Sequence, residues 1–146
     1  MARDLFRFMF TYFTQTHQLH NLIWVWNCPL PEGYVGDEYC DIISLDMYPD
    51  PHAHSDFAPA YQRLRQITKN KGCAIGETGI LPDGDALSQS QTPWLWYMTW
   101  SHDFCLTERF NTYEALKKLY HHPHAVTLDT LPSLYETGIT ALTKYK

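Results

Sequence analysis

Three short apolar stretches constrain this chain more than anything else in it: Leu22-Ile23-Trp24-Val25-Trp26, Ile42-Ile43-Ser44-Leu45 and Cys73-Ala74-Ile75. A strand with one wet face alternates apolar and polar residues. These runs are nearly continuous, which is the pattern of strands covered on both faces, as in a parallel sheet packed under helices. A fourth run, Trp94-Leu95-Trp96-Tyr97-Met98-Thr99-Trp100, reads as a further strand.

The segments between them fit that reading. Asp4 to Thr16 carries Leu5, Phe8, Met9, Tyr12 and Phe13 at helical spacing, with Phe6 and Phe10 widening the stripe. Phe57, Tyr61, Leu64 and Ile67 predict a helix that Ser55 or Asp56 caps and that Gly72 ends. Pro82 to Thr92 reads as a polar loop, and Asn111-x-x-Glu114 as a capping box opening a helix with Ala115, Leu116 and Leu119. The expected class is α/β, with strands and helices or loops in turn. At 146 residues the chain fits one domain.

Composition narrows the function. Only 18% of residues are charged while 15% are aromatic, and the formal net charge is −5 without a Lys/Arg cluster. Nucleic acid and anionic membrane surfaces are therefore poor partners. Uncharged ligands that stack on flat rings, carbohydrate above all, fit better. No run reaches the length of a spanning helix, and the first residues do not read as a signal peptide. Cys28, Cys40, Cys73 and Cys105 form no C-x-x-C pair and are expected as free thiols, Cys40 and Cys73 buried. His52-x-His54 and His121-His122-Pro123-His124 lack a matching ligand set, so no metal or other cofactor is called for.

In parallel α/β sheets the chemistry sits at the C-terminal ends of the strands. The residues there are Trp26 and Asn27, Asp46 and Tyr48, Glu77, and Trp100 with Ser101 and His102. Gly76 and Gly79 leave open space around the Glu77 carboxylate, although the same stretch would serve as a strand-end turn. A carboxylate, a tyrosine able to bond it and tryptophans with flat apolar faces suit a pyranose. The bland alternatives are that one of Trp24 and Trp26 faces the core, and that Asp46 bonds a neighbouring backbone N–H.

Four motifs in this order, Asn21 to Trp26, Gly36 to Tyr48, Ala74 to Gly79 and Thr127 to Pro132, resemble glycoside hydrolase family 26, whose best-known members are endo-β-1,4-mannanases. The likeness runs to about Leu134. It implies a (β/α)8 barrel of which this chain holds approximately strands five to eight, with residues 1–135 as the C-terminal half of the catalytic domain and 136–146 as a tail. It also implies a retaining mechanism in which Glu77 is the nucleophile and Tyr48 orients it. By the same resemblance Trp100 forms the floor under the sugar at the cleavage point and Trp26 lines the cleft. Asp46 is a further candidate for substrate binding.

One departure stands out. The family's general acid/base is a glutamate after a histidine at the end of the fourth strand, and no such pair occurs here; Glu108, Glu114 and Glu136 fall in loop, helix and tail. A full barrel needs about 250 residues, so the missing partner is the N-terminal half. The expectation is that the 146 residues alone do not hydrolyse mannan, and that the open edges of the Trp24 and Trp96 strands make the chain poorly soluble or prone to pairing. Two alternatives remain: a carbohydrate-binding remnant without catalysis, or a same-family hydrolase acting on a mixed-linkage glucan, a xylan or mannan ends. The resemblance implies a secreted or cell-surface protein.

Overall fold

The computed structural model describes residues 1–131, so the tail assigned to 136–146, and Pro132 of the last motif, lie outside the described residues. Strands β1 (Val25–Asn27), β2 (Ile42–Met47), β3 (Gly72–Thr78) and β4 (Trp94–Thr99) form one sheet in sequence order, every pair parallel. All four predicted strands exist; the first is shorter than its apolar run, because Leu22 to Trp24 precedes the ladder.

Each crossover between neighbouring parallel strands needs covalent slack, and helices supply most of it. Helix α1 (Ala2–Thr11) continues as a π-helical turn over Tyr12–Thr16 before β1. Helix α2 (Ala58–Ile67) joins β2 to β3, and α3 (Gly84–Gln89) joins β3 to β4. After β4 come α4 (Asp103–Leu106) and α5 (Tyr113–Tyr120).

The core lies between the sheet and α2. Ile43, Leu45 and Cys73 from the sheet meet Tyr61 and Leu64 of the helix, with Trp26, Met47, Ile67 and Trp94 packed around them. Tyr61 sets its ring edge-on to Trp94, 5.2 Å between centroids. All four cysteines are free, with Cys40 and Cys73 buried.

Four local expectations are corrected. In α1 the face turned to the sheet is Phe6, Phe10 and Phe13, whose rings meet Trp24 at 5.2 to 5.9 Å, while Leu5, Phe8, Met9 and Tyr12 are exposed. The helix is apolar on two sides, and the aromatic one has the Trp24 and Trp26 rings to fill against. Helix α2 is capped by Phe57 in a left-handed conformation (φ 54°), while Ser55 and Asp56 accept from the N–H groups of Phe57 and Ala58. Gly72 does not end α2, since Thr68 does so in extended backbone and Gly72 opens β3. The segment Pro82 to Thr92 is not all loop: Asp83 accepts from Ala86 N–H and starts α3.

Candidate active site

The site is built where β2, β3 and β4 end. Strand β3 carries one residue more than its neighbours at this point. Leu45 pairs with Ile75, yet Asp46 pairs with Glu77, and on the other side Ile75 pairs with Tyr97 and Thr78 with Thr99. This bulge brings Glu77 into register with Asp46. By strict alternation Glu77 would share the helix-covered face of Cys73 and Ile75. The extra residue turns it to the opposite face, and bulges beside functional sites commonly re-aim a side chain in this way.

Gly76 makes the bulge possible. A Cβ there would lie 2.8 Å from Asp46 Oδ1 and 3.1 Å from Asn27 Oδ1, so any larger residue would displace both polar groups. These two belong to a chain along the open face: Ser44 Oγ donates to Asn27 Oδ1 (3.0 Å) and Asn27 Nδ2 donates to Asp46 Oδ2 (2.9 Å). Asp46 thus accepts from a side-chain amide and not from the backbone.

Tyr48, next after β2, donates its hydroxyl proton to Glu77 Oε2 at 2.6 Å. The length is that of a charge-assisted O–H···O⁻ bond. Partial burial of the phenol and its bond to Glu77 push the Tyr48 hydroxyl up to about 12, so it remains a donor throughout the neutral range. Tyr48 is nonetheless 50% exposed. One face of the pair is open to a ligand.

Behind that pair the backbone is fixed. Gly79 packs directly against two rings, where a Cβ would meet Phe104 at 2.6 Å and Tyr48 at 2.7 Å. The Tyr48 and Phe104 centroids are 5.6 Å apart. Thr78, wholly buried, donates its hydroxyl to Ile80 O at 2.6 Å. Asn111 does not serve as a cap; Thr112 caps α5 by accepting from Ala115 N–H. Asn111 is instead fully buried and grips three backbone groups, accepting from Leu81 N–H (2.9 Å) and donating to Gly79 O (2.8 Å) and Phe104 O (2.9 Å). Sequence reasoning missed this role because the Asn-x-x-Glu spacing imitates a helix start.

Of the residues singled out in the sequence, Glu77, Tyr48 and Asp46 come together. Trp100 follows β4 at the same edge, its N–H bonded to Thr78 O (2.8 Å) and its side chain exposed. Trp26 is a correction. It packs on the helix-covered cluster, with Phe6 edge-on at 5.0 Å and its Nε1 buried without a partner, so it does not line an open cleft. The alternation of Trp24 and Trp26 does not separate a core ring from an exposed one, since α1 covers both. The His121–His124 cluster lies elsewhere; His122 Nε2 is 3.3 Å from Asp85 Oδ1. A groove lined by Trp94, Trp96, Leu119 and His122 shares no residue with the Glu77 site.

Residues 1–130 match the model of Glycosyl hydrolase family 26. The chain is 32% identical over 131 residues to a mannan endo-1,4-beta-mannosidase of Thermothelomyces thermophilus, covering 89% of this chain and 27% of that protein. It is 28% identical to mannan endo-1,4-beta-mannosidase A of Piromyces sp, covering 88% of this chain and 21% of that one. Among solved structures, the GH26-CBM35 beta-(1,4)-mannanase of Podospora anserina superposes with a TM-score of 0.83 at 32% identity, over 90% of this chain and 30% of that one. A beta-mannanase from a symbiotic protist of the termite Reticulitermes speratus, complexed with gluco-manno-oligosaccharide, gives 0.79 at 28% identity, over 90% of this chain and 41% of that one. The chain spans about a quarter of the length of the curated relatives it matches. Its four parallel strands with their helices form part of a (β/α)8 barrel.

Proposed function

The chain belongs to glycosyl hydrolase family 26, and on that premise we propose that it supplies the nucleophile side of a retaining site for endo-hydrolysis of β-1,4-mannosidic bonds in mannan. The observation that carries the reading is the 2.6 Å hydrogen bond from Tyr48 to Glu77 on an open strand edge. An attacking carboxylate must be ionised and aimed. The phenol does the aiming, since its bond fixes Oε2 and leaves Oε1 to attack.

In this reading Glu77 Oε1 attacks the anomeric carbon and the bond to the leaving oxygen breaks. Water then releases the sugar from Glu77. The leaving oxygen takes its proton from a carboxyl group contributed from outside the described residues, placed about 5 to 5.5 Å from Glu77 as retention requires. Trp100 offers its exposed ring as a platform for the apolar face of the sugar. Asp46, held by Asn27, accepts hydrogen bonds from sugar hydroxyls. Because a polysaccharide does not cross a membrane, the reaction is placed outside the cell or at its surface.

A leaving group that needs no acid makes a specific test available. A 2-deoxy-2-fluoro-β-mannoside with a dinitrophenyl leaving group needs no proton for its departure, so it reports on the nucleophile alone. Mass spectrometry of the treated protein is expected to find the sugar on the peptide containing Glu77. Glu77→Ala abolishes the adduct, and Tyr48→Phe slows its formation about tenfold. Mannan itself is not measurably hydrolysed by the 146 residues, since loss of general acid catalysis alone removes a factor of about 10² to 10⁴. An adduct on another residue, or mannan turnover that survives Glu77→Ala, would overturn the assignment. Binding without hydrolysis is the second reading, favoured by the exposure of Trp100, and mannan binding by a parent chain that never forms the adduct distinguishes it.

A further inference from the structure

We propose that Asn111 is a positioning residue for the Tyr48–Glu77 pair, acting through Gly79 and Phe104. Its carboxamide is completely used: the oxygen accepts from Leu81 N–H, and the nitrogen gives one proton to Gly79 O and the other to Phe104 O. The three partners lie in two segments that no strand pairing joins at this level. Gly79 and Leu81 follow β3, and Phe104 lies in α4 beyond β4. Asn111 is therefore a tie between the loop that carries Glu77 and the helix that carries Phe104.

That tie matters because of what lies on Gly79. The Phe104 and Tyr48 rings both rest on its bare Cα, at distances that would be 2.6 and 2.7 Å to a Cβ. Tyr48 is packed on one side by this surface, and its hydroxyl reaches Glu77. If Gly79 or Phe104 moves by a few tenths of an ångström, the ring of Tyr48 follows. A half-exposed tyrosine has few other contacts to hold it, and a bond of 2.6 Å is sensitive to such a shift. A buried amide whose every donor and acceptor is engaged has one orientation, which makes it a rigid reference for the groups it holds.

An aspartate at this position has the same shape, but the carboxylate cannot donate. One oxygen would still accept from Leu81 N–H, while the one replacing Nδ2 would face the carbonyls of Gly79 and Phe104, and both would draw away. Phe104→Leu removes the ring without touching Asn111 and disturbs the same path from its middle.

The proposal rests on the reading of Glu77 and Tyr48 as the reacting pair only for its catalytic consequence. The test needs no turnover and no sugar, so it fails or succeeds separately from the adduct experiment. A water-soluble carbodiimide with an amine modifies protonated carboxyl groups, and peptide mass spectrometry gives the rate at Glu77 with Glu114 as an internal reference. Tyr48→Phe frees Oε2 from its hydrogen bond and is expected to raise the Glu77 rate roughly threefold to tenfold. Asn111→Asp and Phe104→Leu are each expected to raise it about twofold to fivefold in the 146-residue chain. In a Tyr48→Phe background neither should raise it further, because the path they act through is already cut.

A substitution that merely loosens the fold would add its effect in both backgrounds. An increase that persists with Tyr48→Phe overturns the proposal, as does an unchanged Glu77 rate in a folded Asn111→Asp or Phe104→Leu chain. Should Asn111→Asp fail to give the cooperative thermal transition of the parent, Phe104→Leu decides by the same criterion.

Discussion

Strands β3 and β4 lie side by side and end at the same edge, and β4 is the more apolar in sequence, yet it is β3 that is buried. In β3, Cys73, Ala74, Ile75 and Thr78 are sealed from solvent. In β4, Leu95 is 55% exposed, with Trp96 and Met98 also open. Position explains the contrast. Strand β3 has a strand on each side and α2 over one face, whereas β4 is the last strand of the sheet. Burial here is a property of neighbours, and the Glu77 carboxylate is held on the strand that has them.

The contrast can be broken by paired substitutions. Ile75→Ala is expected to destabilise the chain by about 2–5 kcal/mol, as large-to-small changes in a sealed core do. Leu95→Ala should cost less than about 0.5 kcal/mol. Urea denaturation curves of the two variants measure both; equal losses would show that β4 is as well packed as β3.

The glycines give a second pair. Gly79→Ala drives a methyl against the Phe104 and Tyr48 rings, which have nowhere to go, and should cost about 1–3 kcal/mol. At Gly72 the nearest atom is equally close, the Leu95 Cδ1 at 2.5 Å, but that side chain is on the open strand and can rotate away. Gly72→Ala should therefore cost less than about 1 kcal/mol, and thermal unfolding of the two variants sharpens the comparison.

A charge on the open strand should be tolerated. Met98→Lys is expected to leave stability within about 0.5 kcal/mol while reducing concentration-dependent light scattering, because a lysine on an edge strand discourages pairing with another chain. The smallest effect concerns Tyr48. An unfolded tyrosine ionises near 10 and Tyr48 near 12, so between those values the folded chain binds more protons than the unfolded one. The stability from this bond is complete below about pH 10 and is lost as pH rises through about 12. Subtracting the alkaline unfolding profile of Tyr48→Phe from that of the parent isolates it. A difference that grows with rising pH would refute the sign.

The same contrast decides what a reader of the sequence can see. The four strands were legible because apolar runs bounded by Gly and Pro leave little choice of element. Glu77 and Tyr48 stood out in the sequence because each follows such a run within three residues, and the structure brings the two together. The face of α1 was not, since Phe6, Phe10 and Phe13 compete with Leu5, Phe8 and Met9 at equal helical spacing and only the position of Trp24 decides. Helix α3 was hidden in a segment rich in turn residues, although Asp83 three places before Ala86 was a usable cap signal. Trp26 carried the right chemistry on the wrong side of the sheet, and sidedness at a strand only three residues long depends on packing partners. Asn111 was invisible as a tie because two of its three partners are backbone groups 30 and 32 residues away, which no local pattern encodes.

The extra residue in β3 is taken up by the bulge, much as one added stitch is gathered into a pucker. The bulge leaves Gly76 without a partner on β2, so deleting it would let Glu77 follow Ile75 directly and still stand opposite Asp46 on the open side, whereas a larger residue at Gly76 would drive its side chain into Asp46 and Asn27. The carboxylate of Glu77 thus keeps its side whether the extra residue is there or not, and what the strand end has no room for is a side chain on that residue.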